Sequence, residues 1–473
     1  MTLRSPAFSR SFFNRRASLR RLWWLCAVLL SLSVGSLAQD LLHTFFLHGR
    51  ISVPYDFSAY YLAGKLAREG QLLYYFPSGA PPKSFLRLLI DSTTPYGRAS
   101  DSRGLANPPM LLPYVTPPFA ALLMEPFSSV PWQVAYAEWR VASALACFLA
   151  VFFSIRIAAV EKRFRFVAFG LCVGVLSAFF PFREQIGMGQ IDCVVLLSWT
   201  LGTWLVLKHR PIASSLCYAL GTAIKVSPIL VVPLMLMRRQ WRWLAYYMLW
   251  GLVILSLSIW SVGWQNHVLW LIKVSPLLSC GAEHFDNRSL AGFAMGICNP
   301  RLLVGLPVVP PGICPFNKGV CALSYLGFLW WCWTKRKGAD GLTHELVLMT
   351  VVWLFVSPVS WPGHYVMAAL PLIYLWVKTL QERVATTKFE IGLLSAVTLV
   401  LGIGVPEYFG PELGTTLMLA VMGAWVAATM GLIWLGMSMY DRCVPSVQPI
   451  GSSFGGTQSP QSGLVQGILG WLT

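Results

Sequence analysis

Trp243-Leu-Ala-Tyr-Tyr-Met-Leu-Trp-Gly-Leu-Val-Ile-Leu-Ser-Leu-Ser-Ile-Trp-Ser-Val262 runs for twenty residues without a charge, directly after Arg238, Arg239 and Arg242. As a helix it is long enough to cross the roughly 30 Å of hydrocarbon in a bilayer. Similar apolar runs recur at 22–47, 133–157, 166–182, 190–207, 317–334, 341–358, 364–380, 389–405 and 413–439, with two less regular stretches at 110–131 and 211–237. They are continuous blocks, not short alternating strands, which argues against a closed barrel. The fold expected is therefore an all-α polytopic integral membrane protein. Composition agrees: 56% of the 473 residues are hydrophobic, 14% are aromatic, and 19 acids face 36 Lys and Arg.

The bases set the orientation. Arg4, Arg10, Arg15, Arg16, Arg20 and Arg21 precede the first span, and clusters follow at Lys162/Arg163/Arg165, Lys208/Arg210, Arg238/Arg239/Arg242, Lys335/Arg336/Lys337 and Arg383/Lys388. All fall on one side if 110–131 and 211–237 each enter and leave by the same face, and the positive-inside rule makes that side cytoplasmic. The net charge of +17 then reflects topology, not a nucleic-acid partner. Ser36-Leu37-Ala38 imitates a signal-peptidase site, but the apolar run continues to Phe46, so a retained anchor with a cytoplasmic N-terminus is expected. The chain divides into a basic tail (1–21), a transmembrane module (22–443) and a Gly/Ser/Pro/Gln-rich tail (444–473) expected to be flexible.

This topology sends 48–109, 183–189, 263–316 and the turn at Ser360-Trp361-Pro362-Gly363 to the outer face. The first and third are too long for simple connectors. Tyr55, Tyr60, Tyr61, Tyr74, Tyr75, Phe76 and Phe85 suit the first to short amphipathic helices on the membrane surface. Prolines between Asn107 and Pro118 forbid an ordinary spanning helix, so that stretch is read as re-entrant or interfacial. At 211–237 the sequence Lys225-Val-Ser-Pro228 interrupts an apolar run; two short helices meeting there would carry Lys225 into the outer half of the bilayer. A lysine at that depth calls for a polar cavity or a counter-charge.

Asp56 stands just outside the first span of a chain that otherwise avoids acids. It opens Asp56-Phe-Ser-Ala-Tyr-Tyr-Leu-Ala-Gly64, with Leu73-Tyr74 after it. Then come Pro117-Pro-Phe with Pro126, Gly189-Gln190-Ile-Asp192, Ala223-Ile-Lys225-Val-Ser-Pro228, Asn287-Arg-Ser-Leu-Ala-Gly292 and Ser357-Pro-Val-Ser-Trp361. In this order the motifs resemble glycosyltransferase family 87, the polyprenyl-phosphate-mannose-dependent α-1,2-mannosyltransferase-like membrane proteins, over about residues 50 to 380. The resemblance implies a GT-C fold with about 10–13 transmembrane helices, a large first extracytoplasmic loop and a lipid-linked sugar donor. One departure stands out: where the family often has paired histidines, Trp361-Pro-Gly leads here to the single His364.

For such a donor the chemistry is short. The leaving group is a phosphate monoester, so one base suffices: it takes the acceptor hydroxyl proton while that oxygen attacks the anomeric carbon from the opposite face, with inversion. Asp56 is the candidate base. Lys225 and His364 are the candidates for holding the phosphate, with Arg183 and Arg288 behind them. Gln190, Asn287, Tyr60 and Tyr61 complete the candidate substrate-binding set.

Each has a plainer reading. An acid after a first span can simply be solvated, Lys225 can snorkel or pair with an acid, and Asp192 can serve only the dipole of the helix it opens. Asn287-Arg-Ser is formally a glycosylation acceptor, and His364 can be a satisfied polar helix end. No Asp-x-Asp pair, zinc spacing, dinucleotide fingerprint or fixed-period repeat appears, so neither metal nor cofactor is expected. Most of the eleven cysteines sit in apolar spans; Cys280, Cys298 and Cys314 share the third outer segment, with Cys321 nearby, and their pairing is left open by sequence.

The sequence thus points to a membrane glycosyltransferase that moves a hexose, mannose by the resemblance, from a polyprenyl phosphate to a lipid or glycan acceptor. It would work at the outer face of a bacterial plasma membrane, among membrane lipids and with no nucleic-acid partner. The alternative from another class is a transporter or flippase of lipid-linked saccharides; broken helices with an intramembrane lysine suit it, but the paired halves common in carriers are not visible.

Overall fold

In the computed structural model the uncharged run becomes one helix, Trp241–Val262. Its 22 residues rise about 33 Å. Met248, Leu249, Leu252, Leu255 and Leu257 point outward from it, and Trp241 and Trp260 stand exposed near its two ends. That is the pattern of a lipid-facing helix with aromatic anchors at both interfaces.

The structure describes residues 55–74, 114–279, 287–298, 313–335, 339–380, 386–402 and 414–443. The expected anchor at 22–47, both tails, most of the first outer segment, Cys280 and the side chain of Cys314 lie outside the described residues. In chain order the helices are α1 (Tyr55–Arg68), α2 (Pro118–Met124), α3 (Trp132–Ile157), α4 (Arg165–Ala178), α5 (Phe180–Met188), α6 (Asp192–Leu207), α7 (Pro211–Ile224), α8 (Val231–Met237) and α9 (Trp241–Val262). They continue with α10 (Trp264–Leu269), α11 (Ser275–Leu278), α12 (Leu290–Cys298), α13 (Ile313–Thr334), α14 (Ala339–Val356), α15 (Ala369–Leu380), α16 (Lys388–Gly402) and α17 (Gly414–Cys443). No strand occurs among the described residues, and the all-α membrane fold read from the sequence is the fold observed.

Among the described residues three helices are long and apolar enough to cross a membrane: α3, α9 and Leu417–Cys443 within α17. The bent pair α4 and α5 makes a fourth if counted as one span. Several other expected spans are shorter. The 16 residues of α6 rise only about 24 Å, but α6 lies among α3, α7 and α14, with Trp199 fully buried and its indole N–H donated to the Leu346 carbonyl at 3.0 Å.

One expected span and the connector after it differ from the sequence reading. The run 166–182 is not one helix: Phe179 is extended, Pro181 starts a new helix, and the two axes differ by 68°. Residues 183–188, read as an outer connector, therefore belong to α5. The third outer segment begins helically, through α10, a π-helical turn at Trp270–Val274, and α11. The two irregular stretches do break as their prolines suggested. Residues 118–129 form a seven-residue helix and a 3-10 turn, and Lys225 stands extended between α7 and the 3-10 turn Ser227–Leu230 that leads into α8.

Charge is gathered at one end of the bundle. Arg238, after α8, pairs with fully buried Glu345, its Nε donating to Oε2 at 2.9 Å; the Tyr440 hydroxyl donates to the Lys335 carbonyl at 2.7 Å and contacts Glu345 at 3.2 Å. Lys335 pairs with Asp441 at 2.7 Å, and Arg442 with Glu390. Two basic clusters of the sequence, around Arg238 and Lys335, thus meet at one level. Trp353 lies eight residues further along α14, about 12 Å of helix away from that level.

Candidate functional site

Asp56 lies in the first turn of α1 and is partly buried. One carboxylate oxygen accepts a hydrogen bond of 2.6 Å from Gln190 Nε2, which comes from 134 residues away. Burial raises the pKa of Asp56 to about 6, against the opposing pull of the Gln190 hydrogen bond and the Lys225 charge. A carboxylate so tuned is ionised near neutrality, yet basic enough to take a proton.

Gln190 is placed by the turn between α5 and α6. Gly189 closes α5 in the left-handed conformation (φ 67°) and carries no Cβ where one would sit 2.6 Å from that of Phe57, so α1 and this turn come together only with glycine there. Trp139 and Tyr136, both on α3, fix the turn from below: the indole donates to the Gly189 carbonyl at 2.8 Å and the phenol to that of Gly187 at 2.6 Å. On its other side Gln190 meets Gly363, where any Cβ would collide with Gln190 Oε1.

Two residues on, Asp192 opens α6 with its side chain 1% exposed. Its Oδ1 accepts from the Lys225 ammonium at 2.6 Å, and its Oδ2 lies 3.8 Å from His364 Nε2. Lys225 Nζ is also 5.5 Å from the centre of the Trp353 ring, on which His364 stacks with centroids 6.2 Å apart. The broken helix thus delivers its lysine to a buried counter-charge.

His364 sits in the 3-10 turn Pro362–Ala368, and its Nδ1 accepts from the Trp361 backbone N–H at 3.3 Å. The preceding loop is held by Asn287. The amide of Asn287 donates to the Pro358 carbonyl at 3.0 Å, and its oxygen accepts from Ser360 N at 2.9 Å and Ser289 Oγ at 2.8 Å. Arg288 N donates to the Ser360 carbonyl at 2.8 Å, and its guanidinium lies 5.5 Å from the centre of the Trp425 ring.

The structure therefore brings Asp56, Gln190, Lys225 and His364 into one cluster, with Tyr60 beside it. Burial holds the Tyr60 hydroxyl well above its usual pKa, and that hydroxyl lies against the Ile191 backbone. Asn287 and Arg288 border the cluster through the 357–361 loop. Tyr61 turns elsewhere, donating to the Val130 carbonyl at 2.9 Å, and Arg183 is on the exposed face of α5. Trp353 and Gly363 were not singled out as site residues from sequence, and Asp192 was weighed for a site role against a plain helix-dipole role. An acid opening an apolar helix was the visible signal for Asp192; Trp353 carried none. Among the described residues no three His, Cys, Asp or Glu gather as metal ligands, and Cys298 and Cys321 are free thiols.

The sequence model of glycosyltransferase family 87 matches residues 114–358. Two similar proteins are each described as a polyprenol-phosphate-mannose-dependent alpha-(1-2)-phosphatidylinositol pentamannoside mannosyltransferase. The one from Mycobacterium tuberculosis (strain CDC 1551 / Oshkosh) is 24% identical over 348 residues, 72% of this chain and 77% of the relative. That from Mycolicibacterium smegmatis (strain ATCC 700084 / mc(2)155) is 24% identical over 273 residues, 57% of this chain and 62% of the relative. No solved structure matches the chain significantly.

Proposed function

Because the chain belongs to glycosyltransferase family 87, we propose that it transfers a mannosyl residue from polyprenyl-phosphate mannose to a hydroxyl of a lipid or glycan acceptor, with inversion, at the outer face of a bacterial plasma membrane. The family and the two relatives support the donor class. The observation that carries the reaction is the single cluster in which a raised carboxylate, Asp56, stands within electrostatic reach of a paired cation, Lys225.

The roles follow from charge and geometry. Lys225 and His364 hold the donor phosphate, and Lys225 offsets the charge that grows on the phosphate oxygen as the anomeric C–O bond breaks. The acceptor oxygen forms the new bond to the anomeric carbon from the opposite face, and its proton passes to Asp56. The bond electrons leave with the phosphate as a monoester, so no second acid is called for. Gln190 keeps the Asp56 carboxylate turned toward the cluster. The meeting of Arg238 and Lys335 at one level, about 12 Å of α14 away from Trp353, favours an outward-facing cluster with a cytoplasmic N-terminus.

The test is to incubate purified full-length protein with radiolabelled polyprenyl-phosphate sugars and a panel of lipid and glycan acceptors. A labelled glycoside formed from the mannosyl donor is expected. Movement of labelled lipid-sugar across proteoliposome membranes, with no new glycosidic bond under any acceptor, would replace this reading by a carrier.

A further inference from the structure

We propose that Asp192 is a positioning residue for donor binding: its one buried carboxylate draws the Lys225 ammonium and the His364 ring to the same point, so that both meet the donor phosphate together. The inference rests on the function proposed above.

The exposures separate the three side chains into a front and a back. Lys225 and His364 keep 19% and 11% of their side-chain surface, whereas Asp192 keeps 1%. The lysine and the histidine thus keep some open surface, and the carboxylate stays behind them. The two Asp192 oxygens are divided between the two neighbours, Oδ1 at 2.6 Å from Nζ and Oδ2 at 3.8 Å from Nε2. Oδ2 is buried and has no hydrogen-bond partner.

A plain helix-dipole role would account for an acid at the start of α6. It would not account for the convergence of two side chains from separate elements, the α7 break and the 357–368 turn, on that acid. Nor does neutralising one buried lysine require the second contact. Trp353 limits the same two groups from a third side, under the Lys225 ammonium and stacked on the His364 ring. Removing Asp192 leaves a long, flexible lysine without its hydrogen-bonded counter-charge, and that lysine must then be ordered by the donor at a cost in affinity.

The experiment uses full-length protein in detergent or nanodiscs, with a synthetic short-chain polyprenyl phosphate as binding probe and mannosyl transfer as the kinetic readout. Asp192→Asn keeps the shape but removes the charge that faces Lys225 and His364. It is expected to raise the probe Kd and the donor KM about tenfold to hundredfold, with a smaller fall in kcat. Asp192→Glu, which restores the charge, is expected to recover part of that loss. Because Asp192 acts through Lys225 and His364, adding Asp192→Asn to Lys225→Met should raise donor KM by clearly less than it does in the wild type.

Wild-type KM in a folded Asp192→Asn protein, or full additivity in the double variant, overturns the inference. If Asp192→Asn alone does not fold, it is added instead to Lys225→Met with His364→Phe, which lacks both groups it positions and the partner charge of the buried pair; a further loss there overturns the inference, and equality supports it. Wild-type protein that neither binds the probe nor transfers sugar would refute the proposed function and this inference with it. Transfer by the wild type with an unaltered Asp192→Asn refutes the positioning role alone.

Discussion

Replacing Gln190 by methionine should move the pH dependence of the enzyme, and the structure sets how far. Gln190 Nε2 donates to the Asp56 carboxylate at 2.6 Å, a short bond to the charged form. Hydrogen bonds to charged groups are worth about 1.5–3 kcal/mol, and one pH unit corresponds to about 1.4 kcal/mol. Losing this bond disfavours ionised Asp56, whose pKa burial has already raised to about 6. The sign is fixed: a base must be deprotonated to act, so a higher pKa costs activity on the acid side and leaves the alkaline side intact. The acid limb of kcat/KM against pH is expected to move up by about 1–2 pH units in Gln190→Met, with the rate recovering toward wild type as pH rises. Gly363→Ala should do the same to a smaller extent, because its new methyl collides with Gln190 Oε1 and displaces that side chain from a distance. The assay is glycosyl transfer by the purified variants across about pH 5–9. A folded Gln190→Met protein whose acid limb coincides with that of the wild type would show that Asp56 is not the group that titrates.

The other outcomes are simpler to state. Lys225→Met keeps the apolar stem and deletes the charge, so the donor KM should rise by about tenfold or more, and unchanged donor affinity in a monodisperse protein would make Lys225 structural. Glu345→Gln leaves Arg238 buried without its counter-charge and should cost about 3–5 kcal/mol, seen as a lowered midpoint in thermal unfolding. Arg238→Met with Glu345→Leu should cost less than the single change, and the reverse order would mean the pair is not energetically buried. In a background with Cys280, Cys298 and Cys314 replaced by Ser, Gln71→Cys at the exposed end of the α1 segment should react with a membrane-impermeant thiol reagent on intact cells. Labelling only after the membrane is broken would invert the topology.

The helices were legible because their signal is local: twenty uncharged residues after three arginines describe a span whatever the rest of the chain does. The breaks at Lys225-Val-Ser-Pro228 and at Pro117-Pro118 were equally legible, since proline removes a donor wherever it falls. Phe179 gave less warning. The apolar run continues smoothly across it, and Pro181 is compatible with a first turn as well as with a kink, so a 68° bend read as one span. In the site, Asp56, Lys225, Gln190 and His364 were singled out by polarity against an apolar background and by motif. What joins them was not legible: Asp192 meets Lys225 across 33 residues, and Gln190 meets Asp56 across 134. Nothing local distinguishes an acid that pairs from one that caps a helix. Gly363 read only as part of a turn, and its function is to leave room for a side chain far away in sequence. Trp353 is one of 21 tryptophans, and only the fold shows that it lies under both the lysine and the histidine.

The most direct test of the central claim, that Asp56 is the base, is to compare donor binding and transfer in wild type and Asp56→Asn. The amide keeps the size of the side chain and can still accept from Gln190, but it cannot take a proton. Donor should bind nearly as in the wild type, while transfer falls by about 10²–10⁴-fold. A wild type that forms the glycoside and an Asp56→Asn protein that forms it at an undiminished rate would contradict the mechanism.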